Sequence, residues 1–209
     1  MKIIKVEKLN KSFGNQHVLK DLSFEVETNE MIALMGKSGT GKSTLLNILG
    51  LLDKPDSGDY ILFEHKNIKP FSPKATKMLR EKIGFLFQNF ALIDSKDVYY
   101  NLNLALKNRH KVNHEEVIAK VLETVGLPGF ETKRIYQCSG GEQQRIAVAR
   151  LLLKPCELIL ADEPTGSLDH QNRDEIIELL KILKAQGKTI VVVTHDEAVA
   201  IHCNRTIHL

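Results

Sequence analysis

Residues 31–52 read MIALMGKSGTGKSTLLNILGLL, and this stretch decides the fold of the chain. Its first five residues form a continuous apolar run, which is typical of a buried strand. The segment that follows, GKSGTGKS at residues 36–43, is a full match to the pattern GxxxxGK[ST]. From Lys42 onward the apolar residues have helical spacing. Strand, glycine loop and helix in this order predict a phosphate-binding loop in an α/β fold.

A loop of this kind binds phosphate mainly through its backbone. Glycine lets successive N–H groups converge on phosphate oxygens, and the start of the following helix adds partial positive charge. We expect Lys42 to bridge the β- and γ-phosphates of ATP and the Ser43 hydroxyl to ligate Mg²⁺. Lys37 either adds a phosphate contact or stays solvated. The predicted nucleotide-binding residues of the loop are Gly36, Lys37, Ser38, Gly39, Thr40, Gly41, Lys42, Ser43 and Thr44.

Two acidic residues follow a second apolar run. Residues 158–164 read LILADEP, so a buried strand leads to the carboxyl end, the edge at which open α/β sheets bind their ligands. We predict that Asp162 holds Mg²⁺ through its water shell. Glu163 would orient the attacking water and accept its proton. The alternative is that the pair caps the next helix, as acidic residues at strand ends often do.

The segment between these two motifs carries a family resemblance. Residues 139–145 read SGGEQQR. Ser139, followed three residues later by Glu142, is an ordinary helix capping box, and the same segment resembles the signature sequence of ABC-type ATPases. The two interpretations are compatible. The resemblance implies that this helix start faces the γ-phosphate of ATP bound to the other subunit of a dimer. The residues implied are Ser139, Gly140, Gly141 and Glu142.

Four further positions match the family pattern one at a time. Gln88 follows a predicted strand, as the Q-loop glutamine does, and would sense Mg²⁺ and the coupling contact. His195 resembles the switch histidine that contacts the γ-phosphate, and Asp169 resembles the D-loop aspartate at the dimer interface. Phe13 stands where the family's aromatic residue stacks on adenine, although a lone phenylalanine near a strand is also typical of a core. The predicted catalytic set is Lys42, Gln88, Glu163 and His195, and the predicted metal-binding set is Ser43, Gln88 and Asp162.

The order of elements defines the expected fold. Periodicity predicts strands at 3–9, 22–26, 31–35, 59–63, 84–87, 158–161 and 189–193, and helices from 42 and at 72–80, 97–107, 114–125, 141–152 and 169–185. With the resemblance, this implies an α/β fold: a P-loop NTPase core with a mainly parallel sheet, an N-terminal antiparallel β subdomain and an inserted helical subdomain. Residues 1–209 would form a single ABC ATPase domain. Residues 1–89 and 137–209 would make the core with its β subdomain, and residues 90–136 the helical subdomain.

The sequence GEQQR followed by PTGSLD is similar to the lipoprotein-release, macrolide-exporter and bacteriocin-export branch of the family. The resemblance implies an ATP-hydrolysing motor that binds Mg-ATP between two head-to-tail copies, as an ATP-dependent homodimer. Hydrolysis would be coupled to an integral membrane permease on a separate chain, for export of a peptide, lipoprotein or drug-like cargo. Cys138 in place of the usual leucine and Leu151 in place of a common alanine depart from the pattern but leave the phosphate contacts intact.

Two other functions fit the same motor. In one, the ATPase transmits force or signal through a membrane partner, in cell-wall hydrolase control or antibiotic-peptide sensing. In the other, a soluble ABC ATPase acts on DNA or ribosomes. The second is less favoured, because we expect such proteins to carry a long coiled-coil insertion or a second cassette, and the spacing between Lys42 and Ser139 shows no sustained heptads.

Composition and charge indicate where in the cell the protein is expected and which kinds of partner it is expected to have. With 43% hydrophobic and 26% charged residues, the sequence is typical of a folded protein. The net charge of +3 is spread along the chain, which favours no nucleic-acid partner. The apolar stretches are shorter than the roughly 18 to 20 residues that cross a bilayer, and the N-terminus lacks the pattern of a signal peptide. We expect a cytoplasmic protein, peripheral on the inner face of the cell membrane.

Cysteine and histidine spacing favours no metal site. Cys138, Cys156 and Cys203 are widely separated and form no CxxC pair, so reduced thiols are expected. His110 and His114 have the spacing of a helical metal pair. However, Asn113 and Glu116 look like an N-cap and its capping-box partner, which puts His110 before the helix.

Overall fold

The computed structural model describes residues 1–37, 39–107, 112–166 and 168–209, and within these ranges strands and helices alternate. The strands are β1 (Lys2–Phe13), β2 (Gln16–Glu27), β3 (Met31–Met35), β4 (Ser57–Leu62), β5 (His65–Lys66), β6 (Ile83–Leu86), β7 (Leu158–Asp162), β8 (Thr189–Val193) and β9 (Arg205–His208). The α-helices are α1 (Lys42–Leu49), α2 (Pro73–Glu81), α3 (Val98–Asn103), α4 (His114–Thr124), α5 (Gly140–Leu153), α6 (His170–Ala185) and α7 (Glu197–Ala200). Short 3₁₀ turns occupy Leu104–Leu106 and Ile135–Gln137.

Five strands form a parallel sheet in the order β6-β7-β8-β3-β9. Its central strands are apolar throughout because both faces of the sheet are covered. Strand β8 shows the alternation: Ile190 and Val192 belong to one hydrophobic cluster, and Val191 and Val193 belong to the other. Since β3, β7 and β8 run parallel, their carboxyl ends meet at one edge of the sheet. A ligand site is expected at that edge.

The other four strands form an antiparallel sheet in the order β2-β1-β4-β5. Strands β1 and β2 have 12 residues each and pair with several register shifts, which interrupt strict alternation. At the start of β4, Gly58 has φ 87°, and a Cβ there would lie 2.2 Å from the Lys8 carbonyl oxygen, so glycine is required. This sheet shares one hydrophobic cluster with α1 and with Ile32 and Leu34 of β3.

Helices α3 and α4 lie between β6 and α5 in the chain and pack against α5. Each begins at a side-chain cap: Asp97 accepts a hydrogen bond from the Tyr100 N–H at 2.7 Å, and Asn113 accepts one from the Glu116 N–H at 3.4 Å. Helix α4 therefore begins at His114. The other member of the histidine pair, His110, lies outside the described residues. The division of the chain at residues 90 and 136 stays a prediction.

The predicted fold class is confirmed, since a parallel sheet and an antiparallel sheet make a mixed α/β architecture. Sequence periodicity missed β5, α7 and β9. Strand β9 joins the edge of the parallel sheet through β3, but its residues are exposed or half-buried, so it lacks the apolar run of the inner strands. Cys138, Cys156 and Cys203 carry free thiols. Among the described helices, none is both long enough and apolar enough to cross a bilayer.

Candidate nucleotide-binding site

A cavity of about 400 Å³ opens at the carboxyl edge of the parallel sheet. Both sheets contribute to its walls: β1 and β2 supply one side, and the phosphate loop with the ends of β7 and β8 supplies the other. The cavity therefore joins residues that are far apart in sequence. Its lining residues are Phe13, Gln16, Val18, Gly39, Gly41, Lys42, Ser43, Thr44, Asp162, Glu163 and Val193.

Two glycines of the predicted phosphate loop have backbone conformations that favour glycine. Gly39 and Gly41 have φ of 83° and 88°, and a Cβ on Gly41 would lie 2.7 Å from the Val18 carbonyl oxygen. Lys42 is only 9% exposed, and its Nζ donates to the carbonyl oxygens of Gly36 and Lys37 at 2.8 and 2.9 Å. A buried cation inside a glycine loop at a helix start fits a bound phosphate chain. Ser38 lies outside the described residues.

Asp162 and Ser43 form a pair of oxygen ligands beside the loop. The Ser43 hydroxyl donates to Asp162 Oδ1 at 3.3 Å. Burial raises the pKa of the Asp162 carboxyl, with the neighbouring Glu163 acting in the same direction and Lys42 and Ser43 opposing. Hydroxyl and carboxylate oxygens are the hard ligands that Mg²⁺ takes together with substrate phosphates. The residues present therefore fit the predicted metal.

Glu163 is held in a fixed orientation at the end of β7. Its φ is 44°, an uncommon value for a residue with a side chain. His195 Nδ1 lies 2.8 Å from Glu163 Oε1, and the buried Thr194 hydroxyl donates to Glu163 Oε2 at 3.3 Å. Thr194 was missed by the sequence analysis. Its position before His195 was the available signal, because β8 lies beside β7 in the parallel sheet.

The signature segment lies outside this cavity. Ser139 caps α5, accepting from the Glu142 N–H at 3.3 Å, while Glu142 accepts from the Ser139 N–H at 2.7 Å. Lys133 donates to the same Glu142 carboxylate. The capping box is thus present, and Ser139 and Gly140 are exposed to solvent. Their predicted contact with ATP requires a second copy of the chain and stays a prediction.

Of the three remaining predicted residues, one lines the cavity and two do not. Phe13 lines it with a side chain that is 54% exposed, and Lys11 Nζ lies 5.2 Å from the centroid of its ring. Gln88 is exposed beyond the end of β6, and its Nε2 lies 3.7 Å from the position of a Cβ built on Gly166. Asp169 caps α6 by accepting from the Asn172 N–H at 2.9 Å. Gln88 and Asp169 do not line the cavity, and their roles stay predictions.

Known proteins resemble this chain over its full length. A family model described as "ABC transporter" matches residues 19–166. The macrolide export ATP-binding/permease protein MacB is 37% identical in Mannheimia succiniciproducens and 38% identical in Escherichia coli, with 100% of this chain aligned in both cases. The chain spans about a third, 33%, of the length of these curated relatives.

Solved structures are also similar to this chain. The dimeric structure of a post-hydrolysis state of the ATP-binding cassette MJ0796, bound to ADP and Pi, is 37% identical with a TM-score of 0.87, covering 99% of this chain and 94% of that one. CbiO1 from Clostridium perfringens, part of the ABC transporter complex cbiONQ, is 29% identical with a TM-score of 0.84, covering 99% of this chain and 84% of that one.

Proposed function

Because this chain belongs to the ABC transporter family and forms its ATPase cassette, we propose that it hydrolyses Mg-ATP between two head-to-tail copies. Each copy would supply the phosphate loop for one ATP and the signature helix for the other. We further propose that hydrolysis drives an integral membrane permease on a separate chain. The observation that carries the proposal is the convergence of Lys42, Asp162 and Glu163 on one cavity.

The chain's own residues divide the chemistry between them. The loop N–H groups and the Lys42 ammonium bind the phosphate chain and stabilise the negative charge that develops on it. Ser43 and Asp162 would hold Mg²⁺, which neutralises phosphate charge when bound. Glu163 orients a water molecule in line with the γ-phosphorus and accepts its proton as the new bond to phosphorus forms and the bond to ADP breaks. His195 and Thr194 fix the Glu163 carboxylate through their contacts with its two oxygens.

The exposed signature helix supports the dimer. Ser139 and Gly140 present a hydroxyl and backbone N–H groups at the start of α5, where the helix dipole favours an anion. In the chain itself these groups lie outside the cavity that would hold ATP. A two-fold arrangement brings the start of α5 of each copy to the γ-phosphate bound by the other. ATP then stabilises the interface, and loss of the γ-phosphate weakens it.

A second cavity suits the membrane partner. It has a volume of about 720 Å³, and Phe87 and Ala91, on either side of Gln88 in the sequence, line it. Arg150 fixes this segment from α5 by donating to the carbonyl oxygens of Phe90 and Ala91 at 2.9 and 2.5 Å. An amphipathic cytoplasmic segment of the permease would fill the cavity. Movement of the Gln88 segment would then link the ATP site to the membrane.

The first test is the variant Glu163→Gln. We expect its turnover to fall by about 10²- to 10⁴-fold, because the general base is lost, while its affinity for ATP stays that of the parent. Phosphate release measures turnover, and equilibrium binding of a labelled ATP measures affinity. Size-exclusion chromatography with Mg-ATP should show a dimer for this variant and a monomer without nucleotide. Turnover at the parental rate would remove Glu163 from its assigned role.

Two controls sharpen this test. Glu157→Gln makes the same change at an exposed carboxylate that pairs with Lys82 outside the site, and it should keep parental turnover. Lys42→Ala should lose ATP binding, and with it the dimer. A dimer that forms equally with and without ATP would contradict the head-to-tail proposal.

The partner and the cargo require a different measurement. Mass spectrometry would identify the membrane protein that co-purifies with the chain from mildly solubilised native membranes. A permease with a large extracytoplasmic domain would support export of a peptide, lipoprotein or drug-like cargo, or the related signalling function. Recovery with ribosomes or DNA, and without a membrane protein, would contradict the transport proposal and leave the ATPase chemistry intact.

A further inference from the structure

Helix α5 is tied to the loop after β7 by a buried glutamine. Gln144 is 1% exposed, and its Nε2 donates to the Pro164 carbonyl oxygen at 2.6 Å. Pro164 directly follows Glu163, the predicted general base. Among the described residues, the Gln144 Oε1 atom has no hydrogen-bond partner, so the side chain's polar contact is with this loop. Burying an amide costs free energy of desolvation that an apolar side chain would not cost. A buried amide at this position is therefore expected to have a role that an apolar side chain could not fill.

A second connection runs from α5 to the start of α6. Arg145 Nη1 donates to Asn172 Oδ1 at 3.2 Å, and Asn172 Nδ2 donates to Asp169 Oδ2 at 2.8 Å. The contact is close because position 141 is glycine: a Cβ there would lie 2.1 Å from Asn172 Oδ1. A side chain at Gly141 would therefore displace the Asn172 amide and break its contacts with Arg145 and Asp169. The first connection thus reaches Pro164, next to Glu163, and the second reaches Asp169, at the start of α6.

We propose that Gln144 and Asn172 are positioning residues that make the geometry of Glu163 depend on the placement of α5. The inference rests on the proposed function, in which Ser139 at the start of α5 contacts ATP held by the partner copy. Contact with that ATP fixes α5, and the Gln144 bond to Pro164 then fixes the backbone beside Glu163. Engagement of the signature helix thereby holds each subunit's general base more firmly in the position that the Gln144 bond already sets.

The position of Gln144 in α5 suits this role. Gln144 lies just over one helical turn beyond Ser139, so tilting α5 at its start moves the amide together with the signature. Glu163 has a φ of 44°, a conformation that persists only when its surroundings hold it. The Glu163 N–H is held by the Val193 carbonyl on one side, and the Pro164 carbonyl is held by Gln144 on the other. Loss of either contact frees the turn to relax.

The test is Gln144→Leu, which keeps the volume of the buried side chain and removes the amide. We expect kcat to fall about tenfold or more, because a shift of about 1 Å in a catalytic group has effects of this size or larger. The KM for ATP of the single variant should be unchanged, since the bond acts on the transition state and not on ATP binding. The ATP-dependent dimer should also be unchanged when Gln144→Leu is combined with Glu163→Gln. Hydrogen exchange of residues 162–166 in the nucleotide-free protein should become faster. The half-buried Asn172→Ala should lower kcat in the same way.

Asn101→Leu is the matched control. Asn101 is also a 1% exposed amide whose Nδ2 donates to backbone carbonyls, those of Ile93 and Asp97. Its Oδ1 also accepts from the Ile93 N–H, so Asn101→Leu removes more hydrogen bonds than Gln144→Leu does, and Asn101 lies away from the Glu163 loop. It should lower thermal stability without the selective loss of kcat or the faster exchange at 162–166. Parental kcat or unchanged exchange in Gln144→Leu would overturn the proposal, and so would losses in kcat, KM and melting temperature that match Asn101→Leu. If the parent chain hydrolyses no ATP, the proposed function fails, while the exchange measurement still decides whether Gln144 holds the loop.

Discussion

At Asp162 the chain keeps a carboxylate where its charge is disfavoured. Burial raises the pKa of this group, so the folded state binds the proton more tightly than the unfolded chain does. Stability is then fully present below the unfolded pKa of about 3.9 and is lost as the pH rises through the higher folded pKa. The side chain therefore lowers the stability of the nucleotide-free protein at neutral pH. The metal-binding role proposed for Asp162 is consistent with a carboxylate at this position.

We predict that Asp162→Asn melts at a higher temperature than the parent at pH 7. Each kcal/mol recovered raises the melting temperature by about 2–4 °C in a domain of this size, and the asparagine oxygen can still accept from Ser43. Thermal melts from about pH 4 upward should show the difference growing with pH, while Mg²⁺-dependent turnover is lost. Asp169→Asn is the control, and it should melt at a lower temperature than the parent at pH 7. The hydrogen bond from the Asn172 backbone N–H lowers the pKa of Asp169, so the charged carboxylate stabilises the folded state there. A lower melting temperature for Asp162→Asn would contradict the burial argument.

Single residues also show which parts of the candidate site can be predicted from sequence and which cannot. The phosphate loop was predictable because its chemistry is local: glycines, lysine and serine stand within eight positions. Gln144 could not be assigned, and Thr194 had only its position before His195 as a signal, because each contacts the Glu163 loop across a gap of 20 or more residues. Threonine and glutamine are common on protein surfaces, so these residue types alone do not indicate a function. Only the pairing of β7 with β8 and the packing of α5 give them a function.

At the scale of elements, helix α5 combines a structural cap with a predicted ligand contact at Ser139. The two roles are separable by substitution. Ser139→Ala removes the cap and should cost about 0.5–2 kcal/mol of stability in urea unfolding. Ser139→Asp keeps the cap but places a negative charge against the partner's γ-phosphate, so stability should stay near the parent while the ATP-dependent dimer of the Glu163→Gln background is lost. If Ser139→Asp still forms that dimer, the contact between the copies does not involve Ser139.

The elements that sequence predicted best are those buried on both faces. Strands β3, β7 and β8 are short apolar runs, and the structure gives them nearly the predicted bounds. Strands β1 and β2 extend well beyond the predicted 3–9 and 22–26, because register shifts break the alternation on which the prediction relied. Positive φ values at Lys8 and Asp21 occur within these irregular stretches. An edge strand such as β9 depends on pairing with β3 more than on its own composition.

On the scale of the whole molecule, the candidate nucleotide-binding cavity lies between two sheets that share one hydrophobic cluster. Phe13, Gln16 and Val18 come from the antiparallel sheet, while Asp162 and Val193 come from the parallel sheet. A ligand that contacts both walls opposes any opening that separates them. Binding therefore stabilises the fold as a whole. The size of this stabilisation depends on whether the ligand contacts one wall of the cavity or both.

We predict that Mg-ATP at about 100 times its Kd raises the melting temperature of the Glu163→Gln variant by about 5–10 °C, since this excess is worth about 2.7 kcal/mol. Phe13→Ala in the same background should weaken binding about tenfold, because stacking on a base is worth about 1–3 kcal/mol. At the same ATP concentration the shift should then fall to about half. Without nucleotide both proteins should melt together, because Phe13 is 54% exposed. Phe71→Ala, at a phenylalanine that is 78% exposed and does not line the cavity, should keep the full shift. An equal shift for Phe13→Ala would mean that the nucleotide is held by the parallel sheet alone, and that the antiparallel sheet contributes shape to the cavity without contributing affinity.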